Sequence, residues 1–313
     1  MAKDKLLVIL GPTAVGKTAL SIELAKQLDT EIISGDSMLV YRGFDIGTAK
    51  PGIAERQGIV HHLVDILPPD EKFNVMDFIG QAQPIIREIN GRGKIPILAG
   101  GTGLYVKALL EGYEFNETAG HEQYREELHK LGEQKGHEYV HKMLAEVNPE
   151  AAARLHPNDF RRIVRALEVA HFGNERISQS KVAEAEELCY EALVIGLERD
   201  RQVLYDRINR RVELMFEAGL VEEVQGLLAA GITREEQAMK GIGYKETAAY
   251  LAGEMSREEA VELIQKSTRH FAKRQLTWYR KMPYIHWYAA DKLTEAELLA
   301  DVLQDVAGFF PTR

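Results

Sequence analysis

Cysteine is almost missing from this chain. Cys189 stands alone among 313 residues, which excludes an internal disulfide and any zinc site built on a cysteine cluster. One lone thiol suits a reducing compartment, so a cytoplasmic location is expected. Long apolar runs are missing too, and none approaches the roughly 18 residues that cross a bilayer. The run Lys5-Leu6-Leu7-Val8-Ile9-Leu10 stops at Gly11-Pro12, too short for a signal peptide and without a small-residue cleavage site behind it, so it reads as a buried strand. The ten histidines supply no H-E-x-x-H pair. Positive charge is scarce in sum: 39 Lys and Arg against 48 Asp and Glu leave −9, which taken alone argues against a polyanionic partner. One stretch reverses the balance. Between Gln265 and Met282, Lys266, Arg269, Lys273, Arg274, Arg280 and Lys281 meet no acid, and local distribution decides such binding more than the total does.

What is present is enough to fold. At 45% hydrophobic and 28% charged residues the chain is globular, and its length suggests about two domains at roughly 150 residues each. Short apolar runs alternate with helical patterns, the mark of a parallel sheet wrapped by helices. Strands are expected at Leu6 to Leu10, Glu31 to Ser34, Ile95 to Ala99 and Leu193 to Leu197, with an edge strand at Ile285 to Tyr288. A helix from about Gly16 to Leu28 carries Leu20, Leu24 and Leu28 at four-residue spacing. His61-His62 reads as loop, and Trp278 and Tyr279 as core residues rather than stacking platforms.

From Tyr113 to about Tyr190 the strand signal vanishes. Apolar stripes recur there at helical spacing: Tyr124, Leu128 and Leu131; Tyr139, Met143 and Val147; then Phe160, Ile163, Val164 and Leu167 behind Asn158 or Asp159 as N-cap. The expected plan is a sheet domain of residues 1–113 and 190–313, with an all-α insertion at 114–189.

Gly11-Pro12-Thr13-Ala14-Val15-Gly16-Lys17-Thr18 fits G-x-x-x-x-G-K-[ST], with a strand before it and a helix after. Its backbone N–H groups would cradle phosphate oxygens, Lys17 would add a cation, and the Thr18 hydroxyl would ligate Mg²⁺. The fold class is therefore α/β, a parallel sheet of the P-loop nucleoside triphosphate hydrolase type flanked by helices. The motif specifies a polyphosphate rather than ATP. A nucleotide hydrolase ends a later strand in a metal-holding acid, whereas here the strand runs out as Leu98-Ala99-Gly100-Gly101-Thr102.

Further segments narrow the reading. Ile33-Ser34-Gly35-Asp36-Ser37, then Tyr41-Arg42-Gly43 and Asp45-Ile46-Gly47-Thr48-Ala49-Lys50-Pro51, resemble the stretch after the second strand of the tRNA dimethylallyltransferases, also called tRNA isopentenyltransferases. So do Gly100 to Tyr105, His156-Pro157-Asn158-Asp159 with Arg161-Arg162 and Arg165-Ala166-Leu167-Glu168, and Gly241-Ile242-Gly243-Tyr244-Lys245-Glu246. The resemblance runs from Gly11 to about Tyr279. Departures are small: Gly35 and Met38 flank the Asp-Ser pair where the family varies, and Lys245 stands where arginine is also found.

The resemblance implies transfer of a dimethylallyl group from dimethylallyl diphosphate to the exocyclic amine of the adenosine 3′ of the anticodon, with release of pyrophosphate and Mg²⁺ as cofactor. It implies Asp36 as the base, Thr102 beside it and Arg211 against the leaving pyrophosphate, with Arg207 one helical turn earlier. It also implies tRNA contacts at Asp36, Ser37, Met38, Leu39, Thr102, Arg125, Arg161, Arg162, Ile163, Val164, Arg165, Lys240, Gly243, Tyr244 and Lys245. The partner would be the anticodon stem-loop, the insertion its holder, and a monomer suffices. Two other classes remain at this point: a small-molecule kinase using ATP on the same loop, and an RNA-binding ATPase without group transfer. A prenyltransferase of free adenine nucleotides would not need the Arg161 to Arg165 cluster.

Overall fold

The computed structural model describes residues 3–113, 121–173 and 188–311. In chain order these form β1 (Lys5–Leu10), α1 (Lys17–Gln27), β2 (Ile32–Ser34), α2 (Ile53–Arg56), β3 (His61–His62), α3 (Val75–Gly91), β4 (Ile97–Gly100) and α4 (Gly103–Glu111). There follow α5 (Glu122–Lys135), α6 (His137–Val147), α7 (Pro149–Arg154) and α8 (Phe160–Phe172). The sheet then resumes with β5 (Glu191–Glu198), α9 (Arg201–Glu217), α10 (Leu220–Ala229), α11 (Tyr244–Leu251), α12 (Arg257–Tyr279), β6 (Ile285–Ala289) and α13 (Glu295–Phe309). Two compact units result, one of residues 1–110 with 188–313 and one of residues 111–187. The expected insertion start at 114 lies outside the described residues.

In the first unit six strands pair in parallel in the order β3-β2-β4-β1-β5-β6. β1 is central, and its Leu6 to Leu10 are all fully buried because helices cover both faces of a parallel sheet. The pleat divides the strand between two cores. Leu6, Val8 and Leu10 join Ile33, Leu98 and the α3 side chains Phe78, Ala82 and Ile86. Leu7 and Ile9 point the other way, to Leu24 of α1 and Val302 of α13. Each such side chain contributes about 1.5–3 kcal/mol. Tyr279 is fully buried in the first of these cores and Trp278 packs against it, as expected for both.

His61-His62 corrects the sequence reading. The pair is not loop but the outermost strand, paired in register with Ile32 and Ile33. Two residues without alternating apolar pattern give no strand signal, and the pairing depends on a neighbour rather than on propensity.

The second unit has its own core of Leu128, Val140, Leu144, Phe160, Ile163, Val164 and Leu167. On α6 the expected stripe is displaced: Val140 and Leu144 are fully buried, while Tyr139 and Val147 are exposed. Tyr139 instead lies under Lys135 Nζ, 4.6 Å from its ring centroid. Asp159 is the N-cap of α8, but its side chain makes no capping hydrogen bond.

Candidate active site

The P-loop joins the C-terminal end of β1 to α1. Gly16 has φ 115° and serves as N-cap, a left-handed conformation that a Cβ would strain. With no side-chain cap and no acid in its first turn, α1 leaves its first N–H groups and positive dipole end open to an anion. By contrast α9 is capped by Asp200, α12 by Ser256 and α13 by Thr294.

Residues far along the chain hold this loop. Arg207 Nε donates to the Ala14 carbonyl and Arg199 Nε to that of Val15, both at 2.9 Å. Gln275 bridges the loop to β4: its Oε1 accepts from Thr13 N–H at 2.9 Å and its Nε2 donates to the Gly101 carbonyl at 2.8 Å. Tyr279 Oη donates to the same carbonyl at 2.8 Å. Neither Arg199 nor Gln275 was singled out in the sequence. Arg199 could have been, since it follows the C-terminal end of a strand, where open α/β sheets place ligands. Gln275 carried no signal beyond its position in a basic helix.

Lys17 Nζ donates to the Gly11 and Pro12 carbonyls, each at 2.9 Å. Burial, reinforced by Arg211 and opposed by Asp36, pushes its pKa down to about 8. Burial and neighbouring Arg207 likewise lower the pKa of Arg211, with Glu55 pulling the other way.

Asp36 lies two residues past β2. Its Oδ1 accepts from Met38 N–H at 2.8 Å. Beside it, Ser37 N–H donates to Thr102 Oγ1 at 3.0 Å, and the Thr102 hydroxyl donates to Ser37 Oγ at 3.3 Å. Thr102 thus ties the end of β4 to that of β2, while its carbonyl accepts the first N–H groups of α4. A Cβ placed on Gly101 would stand 2.7 Å from Gln275 Nε2, 3.7 Å from Asp36 Oδ2 and 4.0 Å from Lys17 Nζ. Carboxylate and ammonium are therefore near neighbours about Gly101, with the Gln275 amide closer still.

Asp36 and Lys17 both line a cleft of about 510 Å³. It is lined by Lys17, Thr18, Asp36, Ser37, Met38, Leu39 and Thr102, which the sequence brought forward, together with Arg207, Arg211, Lys240 and Tyr244. Four cations, Lys17, Arg207, Arg211 and Lys240, outnumber its two acids, Asp36 and Glu55, so the cleft favours an anion inside an acidic protein. Ile208, Val212, Met215, Ile264 and Phe271 add an apolar wall. His61 also lines it, its pKa lowered chiefly by burial.

The Asp45 to Pro51 stretch forms part of the rim, and Glu223 of α10 explains its form. That carboxylate accepts the N–H groups of Asp45, Ile46 and Gly47 at 3.2, 2.8 and 3.3 Å and the Tyr244 hydroxyl at 2.6 Å. Lys50, almost fully buried, reaches the Tyr41 carbonyl and the carboxylates of Asp45 and Asp65.

Thr13, Ala14 and Gly16 of the P-loop line the cleft as well, whereas Gly243, Lys245 and the candidates of the helical unit lie outside its lining. Gly243 is the buried N-cap of α11, and Lys245 is exposed on its first turn. In the helical unit Arg161 and Arg162 are exposed on α8, while Ile163 and Val164 are buried in its core. Arg125 and Arg165 converge on the fully buried Glu168, which also accepts from His121 N–H at 2.8 Å. Burial opposes the Glu168 charge, but the two guanidiniums and the N–H outweigh it and hold the carboxyl below its ordinary range.

Fold and cleft define a P-loop protein that sets a polyphosphate cradle beside a carboxylate at the ends of a parallel sheet. The sequence model of the IPP transferase family matches residues 39–282, and that of the isopentenyl transferases matches residues 4–65. The tRNA dimethylallyltransferase of Bacillus anthracis is 48% identical over 98% of this chain and 97% of its own, and that of Alkaliphilus metalliredigens 47% identical over 98% and 99%. Among solved structures, the full-length tRNA isopentenylpyrophosphate transferase of Bacillus halodurans matches with a TM-score of 0.74 at 43% identity, over 98% of this chain and 97% of that one. A eukaryotic dimethylallyltransferase acting on tRNA matches with a TM-score of 0.79 at 28% identity, over 97% and 78%. This chain belongs to the IPP transferase family, the tRNA dimethylallyltransferases.

Proposed function

We propose that the protein moves the dimethylallyl group of dimethylallyl diphosphate onto the exocyclic N6 of the adenosine 3′ of the anticodon in tRNA, releasing pyrophosphate. The observation that carries this reading is the cleft that Asp36 and Lys17 line together, as near neighbours about Gly101. Adenine N6 is a weak nucleophile because its lone pair is delocalised into the ring. As the bond from N6 to the allylic carbon forms and the bond from that carbon to oxygen breaks, the N6 proton passes to Asp36. Lys17, Arg211 and the open N–H groups of α1 meet the charge that accumulates on pyrophosphate. The apolar wall of Ile208, Val212, Met215, Ile264 and Phe271 suits a five-carbon chain and excludes water from it.

Thr18 lines the cleft one residue past Lys17, an oxygen donor of the kind Mg²⁺ takes alongside substrate phosphates. Bound there, the ion would supply further charge neutralisation at the diphosphate.

The helical unit, through Arg125, Arg161, Arg162 and Arg165, holds the anticodon stem, and Lys266, Lys273, Arg274, Arg280 and Lys281 of the acid-free stretch add to the basic surface. Ser37, Met38, Leu39, Lys240, Gly243, Tyr244 and Lys245 complete the approach to the base, which must leave its stack to reach the cleft. The protein works as a monomer in the cytoplasm. No helix among the described residues is long and apolar enough to cross a membrane.

Incubation with labelled dimethylallyl diphosphate and unmodified tRNA tests the reading. Label is expected in tRNA, on the adenosine after the anticodon. RNA-stimulated ATP hydrolysis without label transfer would assign the loop to an ATPase instead.

A further inference from the structure

Glu168 of α8 is fully buried in a unit with four helices among its described residues, and its two oxygens are engaged by residues of two of them. Arg125 of α5 donates to both, from Nε to Oε1 at 2.8 Å and from one terminal nitrogen to Oε2 at 2.9 Å. Arg165, one turn before Glu168 on α8, donates to Oε2 at 2.5 Å, and His121 N–H donates to Oε1. The guanidiniums themselves stay in reach of solvent, with side chains 39% and 43% exposed. An apolar side chain would pack α5 against α8 without the cost of burying a carboxylate. What the carboxylate adds is a fixed direction for two planar cations that stay partly exposed, and their sum leaves one positive charge in excess. Arg161 lies one turn before Arg165 on the same helix face.

We propose that Glu168 is a positioning residue for RNA recognition: it locks Arg125 and Arg165 into one rigid pair of guanidiniums that grips the phosphate backbone of the tRNA stem. The proposal rests on the reading of this unit as the tRNA holder. Fixed guanidinium planes lose little entropy on meeting phosphate oxygens, whereas free arginines must be ordered at the moment of binding.

Glu168→Gln in the full-length protein separates this role from mere charge. Removing a negative charge from a surface that binds a polyanion should tighten binding if Glu168 acts only through electrostatics. The positioning role demands the opposite: the dissociation constant of an unmodified tRNA transcript should rise about tenfold, the loss of one charge-assisted contact, and the slope of its logarithm against log salt should flatten by about 1. In turnover the loss should fall on KM for tRNA and not on KM for dimethylallyl diphosphate, and Glu168→Asp should recover part of it. Unchanged or tighter tRNA binding overturns the proposal. If the Gln variant melts below assay temperature, Arg125→Lys combined with Arg165→Lys keeps every charge while removing the planar fork; weakened tRNA binding then supports the proposal and unaltered binding overturns it. Charge reversal at Arg161 and Arg162 serves as the independent arm. Should it leave tRNA affinity untouched, the assignment of RNA to this unit fails, whatever Glu168 does.

Discussion

Lys17 gives the phosphate cradle a pH signature that can be worked out in advance. Its pKa lies near 8, down from 10.5, because burial disfavours the ammonium more than Asp36 supports it. At pH about 7 some nine-tenths of the empty protein carries the charge and at pH about 9 only one-tenth, by the ordinary titration relation. A diphosphate that demands the charged form raises this pKa again on binding. Affinity for inorganic pyrophosphate should therefore fall about tenfold between those two pH values, and binding at pH about 8.5 should draw roughly three-quarters of a proton from solvent. Isothermal titration in buffers of different ionisation enthalpy reads both quantities. His61, the cleft's imidazole, has its pKa lowered and stays neutral across this window. Lys17→Arg keeps its charge throughout and should abolish the proton uptake. A flat affinity with no uptake in the parent protein, or a pH dependence that survives in Lys17→Arg, would refute the placement of Lys17 against the anion.

Asp36→Asn should lower single-turnover prenyl transfer by at least about 10² while the pyrophosphate dissociation constant stays within twofold; transfer at the parent rate would remove Asp36 as proton acceptor. Gln275→Leu breaks the link from Thr13 N–H to the Gly101 carbonyl and should cost about 1–3 kcal/mol in denaturant unfolding, whereas an unshifted midpoint would mean that the loop stands without it. Glu223→Gln leaves three backbone N–H groups and the Tyr244 hydroxyl sharing one neutral acceptor. It should destabilise the protein by about 2 kcal/mol and speed hydrogen exchange at Asp45 to Gly47; slow exchange there would show that the rim holds by other contacts.

The central sheet was legible because buried parallel strands write themselves as unbroken apolar runs, as Leu6 to Leu10 and Leu193 to Leu197 do. The P-loop was legible because glycines, lysine and threonine sit at fixed spacing between a strand and a helix. Other parts depend on partners distant in sequence. β3 is a strand only because Ile32 and Ile33 offer it an edge. On α6, Tyr139 and Val147 have the right spacing for a core stripe, yet Val140 and Leu144, one position after Tyr139 and Met143, are the buried pair; spacing fixes a face but not which face wins. Gln275 reaches Thr13 across 262 positions, a contact no local pattern encodes. Ile163 and Val164 lie within the arginine-rich start of α8 that the family resemblance brought forward, but their side chains belong to the helical core, and it is the flanking arginines that reach the surface.

A P-loop ordinarily serves reactions at phosphorus, and the physical reason this one suits reaction at carbon lies in where the charges stand. β4 ends in Ala99 and Gly100, followed by Gly101, without an acid, so no carboxylate is placed there to share a metal with the terminal phosphate. The nearby carboxylate is Asp36, two residues past β2 and close to Lys17 about Gly101. In the proposed transfer the proton that reaches Asp36 neutralises one negative charge just as the departing pyrophosphate acquires one. The cleft thus keeps its total charge while the negative charge moves from the β2 side to the loop. Lys17 follows that shift: as Asp36 is neutralised its pull on the ammonium disappears, and the whole of that cation becomes available to the leaving group. Base and cradle are coupled through Lys17, so Asp36→Asn should also lower the pKa read from the proton-uptake experiment in the empty protein, because the charge that raises it is gone. An unchanged uptake profile in that variant would mean that the two sites act independently.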